Sequence, residues 1–132
     1  MPSDNTPPID LFARNIVEKR FEAFDPAVVR HAKDRIMDTV GCLIGGYADS
    51  GNPELIRMLK DEGGKPESTI LIFGGKVPAG QAAMANCIMC RSFDFEPVSP
   101  VVNGRLTPGH ISGTTVMTAL STAEACRASG RD

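Results

Sequence analysis

Apolar and polar residues alternate in a pattern that predicts helices for most of the chain, the first over about residues 8–24. Four apolar side chains recur there at close to helical spacing: Ile9, Phe12, Ile16 and Phe21. Charged residues occupy the intervening positions, so we expect an amphipathic helix on the surface. Residues 1–8 show no such pattern and are predicted to be irregular.

A second, longer helix is predicted to follow Asp25 and Pro26, because aspartate caps free backbone amides and proline suits the first helical turn. Its first half is amphipathic, and His31 lies on the charged side, where we expect a solvated surface residue. From Met37 onward apolar residues surround the axis, which predicts that this end enters a packed interior. Two glycines at 45–46 end the helix.

The next segment repeats these signals in shorter form. Asn52 is the predicted cap, Pro53 the first turn, and glycines at 63–64 the end of a short helix. "STILIF", residues 68–73, is rich in β-formers and predicts a single short strand, which must find its pairing partner elsewhere in the fold.

The last two helices are rich in small residues, which favour close helix packing. The segment over residues 78–95 is the predicted central helix, and Asn86 within it should need a hydrogen-bonding partner. The final helix begins near Ser112. Its predicted inner stripe comprises Val116, Ala119, Leu120 and Ala123. The fold class that follows is mainly α, a helical bundle with one short β-strand.

Composition narrows the functional classes. The 132 residues, suited to one domain or part of a larger one, carry 14 basic and 16 acidic side chains, a formal net charge of −2. This balance does not favour a nucleic-acid-binding or membrane-binding surface. No apolar run is long enough for a bilayer, and the N-terminus lacks the layout of a secretory signal. We therefore expect a cytoplasmic protein, or an organellar one whose targeting segment has been removed.

Two of the four cysteines, Cys87 and Cys90, have the spacing of a redox pair or of half a zinc site. No nearby Cys or His supplies further zinc ligands. The surrounding segment is helical and apolar, so we favour the interpretation that both thiols are buried core groups.

The loop between the last two helices holds the candidate chemistry. Asp94 lies near the end of one helix and His110 just before the other, so antiparallel packing could bring them together. The free amides of Gly113 and Thr114 would favour an anion such as a substrate carboxylate, and a histidine beside it could transfer protons. The alternative is structural: Asp94 is a cap, Glu96 is solvated, and His110 has no special role.

Three segments together resemble the N-terminal part of the MmgE/PrpD family: "VVRHAKDRIMDTVGCLIGGY", "GQAAMANCIMCRSFDFE" and "PGHISGTTVMTALSTAEACRASGRD". The similarity runs over roughly residues 8–132. The family includes enzymes related to 2-methylcitrate dehydratase, cis-aconitate decarboxylase and an iminodisuccinate epimerase. It implies a large helical domain, followed later in a longer chain by an α/β lid. It also implies proton transfer on small di- and tricarboxylates without a metal or organic cofactor.

The resemblance also implies roles for individual residues. "FDFE" resembles the family's Leu-Asp-Phe-Asp-Asp segment and places Asp94 on its active-site aspartate; "GHIS" resembles its His-Pro-Ser segment and places His110 on its active-site histidine. Ser112 falls where a small polar residue meets the substrate. The substrate-binding candidates are then Ser112, Glu96, Gly113 and Thr114. The sequence departs from the family at Glu96-Pro97, at Ile111 and in an "NGRL" insertion, so the specific reaction stays open.

Residues 9–132 are thus expected to form an incomplete family domain without the lid, because the family's catalytic lysine and other basic residues lie beyond this point. We expect no substantial turnover from the chain alone. It would act on a small polycarboxylate as the N-terminal portion or small subunit of a lyase or isomerase, as a homo-oligomer or with a complementing second chain. The alternative function is a helical assembly module, or a fragment of the family, without chemistry.

Overall fold

The computed structural model describes residues 6–99 and 101–132, and the prediction of a mainly α fold is confirmed. The helices are α1 Pro8–Glu18, α2 Pro26–Gly46, α3 Asn52–Glu62, α4 Ala79–Arg91 and α5 Ser112–Cys126, with a 3₁₀ turn at Phe21–Ala23. The strands are β1 Ser68–Thr69, β2 Lys76–Val77, β3 Val101–Val102 and β4 Arg105–Leu106. They form two antiparallel pairs, β1 with β2 and β3 with β4. None of the helices described here is both long and apolar enough to cross a bilayer.

The predicted first helix is shorter than its apolar pattern suggested. It ends at Glu18, and Phe21–Ala23 forms the separate 3₁₀ turn. No residue of α1 is buried, in agreement with a surface position. The prediction that residues 1–8 are irregular falls mostly outside the described residues, and α1 begins at Pro8.

The central element is α4, as its small residues predicted. It packs against α5 and α2, and more lightly against α3. The buried apolar side chains form one core, which comprises Leu43, Ile56, Leu59, Ile70, Val77, Ala82, Ala85, Met89, Cys90, Val116 and Met117. Because α4 runs through this core, its last turn and the first turn of α5 are fixed relative to each other.

The contact between α2 and α4 depends on Gly46. A β-carbon at this buried position would lie only 2.2 Å from the backbone oxygen of Met89, so the helices approach too closely for any larger residue. Asn52 completes the junction: its side-chain amide donates to the oxygen of Gly46 at 2.7 Å and to Ser92 Oγ at 2.9 Å. The prediction that Asn52 caps α3 was therefore wrong. Gly51, with φ of 91°, occupies the cap position.

The second half of α2, from Met37 onward, is not enclosed on all sides, so the prediction that it enters a packed interior was wrong. Met37 is 70% exposed and Ile44 is 53% exposed. The only helices packed against α2 in the described part of the chain are α4 and α5, and they cover one face. Apolar residues lie on all sides of this part of α2, which predicted that other elements would cover it completely. Among the described residues, α4 and α5 leave the other side exposed.

The inner face of α5 also differs from the predicted stripe. Its buried residues are Gly113, Val116, Met117 and Ser121. Of the predicted stripe, Val116 is buried and Ala123 is half-buried, whereas Ala119 and Leu120 are exposed, because the buried face of the helix also includes the small residues Gly113 and Ser121. Ser121 illustrates the reason: its backbone oxygen accepts a hydrogen bond from the buried hydroxyl of Ser68, which requires close approach.

The single strand predicted over residues 68–73 is instead the first arm of a hairpin. Ser68 pairs with Val77 and Thr69 with Lys76. The predicted need for a partner at Asn86 is confirmed, because its side chain accepts from the backbone amide of Leu71 at 2.9 Å and donates to the oxygen of Thr69 at 3.1 Å. The buried amide thus anchors the hairpin to α4.

The second hairpin, β3 and β4, contains the "NGRL" insertion and was not predicted. Its turn is formed by Asn103 and Gly104, with φ of 50° and 73°. Positive φ at both positions suits the Asn-Gly turns that join two-residue hairpins. The hairpin lies in the excursion between Asp94 and His110, and both of its strands are exposed.

Glu124 joins α5 to the first hairpin and gives the fold an acid-sensitive contact. Its carboxylate contacts Lys76 Nζ at 2.8 Å and accepts hydrogen bonds from the backbone amide and hydroxyl of Thr69. The bond from Lys76 first, and then those from Thr69, lower the pKa of Glu124 from 4.5 to about 2.

We expect this contact to stabilise the fold above pH 4.5 and to be lost as the pH falls toward about 2. The sign follows because the folded state holds the carboxylate ionised where the unfolded chain protonates it. The free energy of unfolding, measured by denaturant titration across this pH window, should fall less steeply in Glu124→Gln than in the parent protein. Glu54→Gln is the control, since the Glu54–Arg57 pair is fully on the surface. Equal slopes in all three proteins would contradict the prediction.

Candidate acid–base site

The packing of α4 against α5 brings the two ends of the long loop together. Asp94 and Glu96 follow the last turn of α4, and His110 lies two residues before α5 begins at Ser112. Asp94 has φ of 56°, a left-handed conformation that aspartate tolerates better than most residues, and its amide donates to the oxygen of Arg91. This turn directs the chain back across the end of α4.

Asp94 and His110, the two predicted catalytic residues, lie side by side. Nε2 of His110 is 3.5 Å from Oδ1 of Asp94 and 3.3 Å from Oε1 of Glu96. The side chain of Asp94 is 71% exposed, whereas that of His110 is 25% exposed. The two groups therefore meet at the surface, with the carboxylate of Asp94 facing outward.

Arg91 connects all three side chains, and the sequence analysis did not identify it. Nη1 lies 3.0 Å from Glu96 Oε1 and donates to the backbone oxygen of His110 at 3.0 Å. Nη2 lies 3.4 Å from His110 Nδ1 and 3.6 Å from Asp94 Oδ1. The signal in the sequence was the i, i+3 spacing of Arg91 and Asp94 at a helix end, a common position for an ion pair.

Glu96 is not solvated, so that part of the structural alternative is wrong. Its side chain is completely buried. A β-carbon on Gly113 would lie 3.3 Å from Glu96 Oε1, which shows that the missing side chain makes room for the carboxylate beside the first turn of α5. The carboxylate of Glu96 therefore lies beside this helix start, but it accepts no hydrogen bond from the amides there.

The other substrate-binding candidates have different surroundings. The hydroxyl of Thr114 donates to the oxygen of Ile111 at 2.9 Å, so it closes the first turn of α5. The backbone amides of Gly113 and Thr114 have no hydrogen-bond acceptor among the described residues. Ser112 is half-buried and lines a cavity of about 360 Å³. The side chains of Asp94 and His110 do not line this cavity, so Ser112 faces a neighbouring space.

The cavity beside Ser112 contains one cation, Arg35 of α2. Its remaining lining consists of Pro97, Val98, Thr107, Pro108, Gly109 and Ile111. Arg35 makes no ion pair with any residue in the described ranges. His31, predicted to be a solvated surface residue, is exposed. It lines a shallow pocket with Asp34 and Asp38, and this pocket shares Arg35 and Pro97 with the cavity beside Ser112.

Asp94, Glu96 and His110 also form the one group of potential metal ligands within the described residues, their donor atoms lying within 4.8 Å of one another. Two carboxylates and an imidazole suit a divalent cation in chemical type. However, the guanidinium of Arg91 already supplies positive charge 3.0 Å from Glu96 Oε1. A cation would have to displace Arg91, so the arrangement favours an ion-paired cluster.

The Cys87–Cys90 pair has the character of core thiols. Both cysteines are free, Cys87 half-buried and Cys90 buried. Burial first, and then the charge of Glu96, raise the pKa of the Cys90 thiol to about 12. Because redox exchange and metal binding require the thiolate, the structure favours the structural interpretation.

Comparison with known families matches residues 10–132 to the MmgE/PrpD N-terminal domain. No curated protein and no solved structure gave a match. The match covers nearly the whole chain and agrees with the sequence resemblance and the helical fold. The chain therefore belongs to the MmgE/PrpD family and corresponds to its N-terminal domain.

Proposed function

We propose that the chain provides part of an acid–base site for small di- or tricarboxylates, in which Asp94 and His110 transfer a proton to or from substrate carbon or oxygen. The observation that carries this proposal is the 3.5 Å separation of His110 Nε2 from the exposed carboxylate of Asp94. A positioned acid or base of this kind contributes about 10²–10⁴-fold to a rate. Dehydration, decarboxylation and epimerisation all use such a proton transfer.

The charges around the cluster indicate where a substrate carboxylate would bind. Asp94 and Glu96 formally outweigh the single charge of Arg91, so the cluster itself repels anions. Arg35, in the cavity beside Ser112, is the nearby cation without an ion pair among the described residues. We propose that Arg35 and Ser112 bind one substrate carboxylate, while Asp94 and His110 face the reacting carbon.

Further residues are proposed to come from another polypeptide, either a second copy or a complementing chain. Several large apolar side chains of α2 are exposed, among them Met37 and Ile44. Exposed apolar surface of this kind favours a protein partner. Such a partner could supply cations that the described residues do not place near Asp94.

A titration with citrate tests binding at the cluster, because the chain contains only two histidines. We expect citrate to shift the imidazole NMR signals of His110 in a saturable manner and more strongly than those of His31, which lines a pocket with Arg35 but lies outside the cluster's contacts. Arg35→Gln should weaken this binding by about tenfold or more, since a hydrogen-bonded charge contact is typically worth 1.5–3 kcal/mol. Acetate at matched ionic strength is the control. Equal shifts at both histidines, or none at His110, would contradict the proposal.

The second candidate function is a helical assembly module without chemistry. It is favoured by the burial of Glu96 and the engagement of Arg91 with His110, since a stabilising network needs no substrate. Under this alternative, citrate leaves His110 unaffected, and substitution at His110 changes stability rather than turnover.

A further inference from the structure

Each ring nitrogen of His110 faces a different kind of group. Nη2 of Arg91 lies 3.4 Å from Nδ1 in hydrogen-bonding geometry. Nε2 lies on the opposite side of the ring, 3.3 Å from Glu96 Oε1 and 3.5 Å from Asp94 Oδ1. The Nε2 contacts are close in distance but are not aligned as hydrogen bonds. The ring thus lies between a cation and two carboxylates.

The chemistry of arginine determines what Nδ1 must do. A guanidinium carries only donors and stays protonated in proteins, so a hydrogen bond from Arg91 requires a lone pair on Nδ1. A neutral imidazole has one protonated nitrogen, and the proton must then be on Nε2. That placement puts the N–H on the side of the ring where the carboxylates of Glu96 and Asp94 lie, 3.3 Å and 3.5 Å from Nε2, and not an unprotonated nitrogen that ionised carboxylates would repel.

Arg91 is itself held in place by contacts that do not involve the imidazole. Nη1 donates to the backbone oxygen of His110 at 3.0 Å and lies 3.0 Å from the buried Glu96 Oε1. Gly113 provides the space for this pair, since a β-carbon there would lie 3.2 Å from Arg91 Cγ and 3.3 Å from Glu96 Oε1. The orientation of the guanidinium is therefore fixed by α5 and by buried charge, and Nη2 points at the ring.

We propose that Arg91 and Glu96 are positioning residues that fix neutral His110 as the tautomer protonated at Nε2. The consequence for catalysis, which rests on the proposed function, is that Asp94 and His110 have different roles. His110 in this state can donate the Nε2 proton but has no free lone pair to accept one. Because Nε2 is itself buried, the exposed carboxylate of Asp94 is then the group that exchanges a proton with substrate, and His110 holds the Nε2 proton beside that carboxylate.

The test is ¹⁵N NMR of the histidine-labelled 132-residue chain at about pH 9, well above the ordinary histidine pKa of about 6.5. We expect His110 to show a protonated Nε2 and an unprotonated Nδ1, with a tautomer ratio of roughly tenfold or more, as a charge-assisted hydrogen bond can sustain. His31, exposed and without this environment, serves as the internal reference for an unconstrained imidazole. His31→Gln assigns the two sets of signals.

Substitutions at Arg91 separate positioning from a general structural effect. Arg91→Met should reduce the tautomer ratio of His110 toward that of His31, and Arg91→Lys should restore it only in part, because lysine lacks the two-pronged donor geometry. Arg57→Met, at an exposed surface pair, should leave His110 unchanged. A His110 protonated at Nδ1 in the parent protein, or a ratio matching that of His31, would overturn the proposal without involving any substrate. Failure of citrate binding, by contrast, would contradict the proposed function and leave this tautomer assignment standing.

Discussion

Replacing His110 with alanine is expected to lower the turnover of a small polycarboxylate by about 10²–10⁴-fold, the usual contribution of a positioned acid or base. The assembly to assay is the chain together with any polypeptide that co-purifies with it from its source. Asp94→Asn should cause a loss of similar size, because it removes the outward-facing base while asparagine still tolerates the left-handed backbone at φ of 56°.

The stability of both variants should change much less than their activity. Asp94 is mostly exposed, and the bond from Arg91 to the backbone oxygen of His110 survives either substitution. We expect Asp94→Asn to change the free energy of unfolding by less than about 1 kcal/mol, as is usual at the surface. His110→Ala removes a half-buried ring that contacts Arg91, so it should cost about 1–2 kcal/mol. His31→Ala is the matched control and should retain parental turnover. A His110→Ala variant with parental turnover would remove His110 from the mechanism.

Replacing Gly46 with alanine should have the largest effect on stability, a loss of about 2–3 kcal/mol through overpacking. The added β-carbon would lie 2.2 Å from the backbone oxygen of Met89, and a backbone atom cannot move aside as a flexible side chain can. The helix α2 must then shift away from α4. For a chain of this length the melting temperature should fall by about 10 °C.

The adjacent glycine provides a direct control for this prediction. A β-carbon on Gly45 would meet nothing within 4 Å. Gly45→Ala should therefore be neutral or stabilising by up to about 1 kcal/mol, because alanine favours the helix more than glycine does. Thermal denaturation of the two variants decides the matter, and equal melting temperatures would show that the α2–α4 contact does not depend on Gly46.

Local signals in the sequence predicted the helical framework well. Pro26 and the glycines at 45–46 gave the limits of α2, and the small residues of α4 predicted its central position. The polar character of Asn86 within an apolar helix correctly indicated a buried hydrogen-bond pair. These features are encoded in short stretches of chain, which is why they could be recognised without a structure.

Features that depend on contacts between distant segments were harder to predict. The apolar residues of α2 beyond Met37 indicate a preference for burial, but they do not show which elements would cover them. The inner face of α5 includes Gly113 and Ser121 as well as apolar residues, and hydrophobicity does not indicate the close contacts of these two small residues. Both errors arose because a helix face was assigned from composition alone.

In the candidate site, too, local features could be predicted, whereas contacts between distant segments could not. Asp94 and His110 were recognised from their loop and from the family resemblance, and helix packing places them together. The roles of Arg91 and the burial of Glu96 could not be derived, since both depend on where α5 begins relative to α4. The Asn103–Gly104 turn has a signal in the sequence, an Asn-Gly pair that directly follows two valines, but the segment was interpreted only as an insertion.

The most direct test of the central claim is to incubate the source-purified assembly with individual di- and tricarboxylates in D₂O and to follow deuterium on substrate carbon. Proton transfer by Asp94 and His110 predicts that at least one of these acids gains deuterium at a carbon next to a carboxylate, and that Asp94→Asn abolishes the gain. If no acid exchanges or reacts in the parental assembly, the chain does not perform acid–base chemistry on polycarboxylates, and its role is that of a helical assembly module.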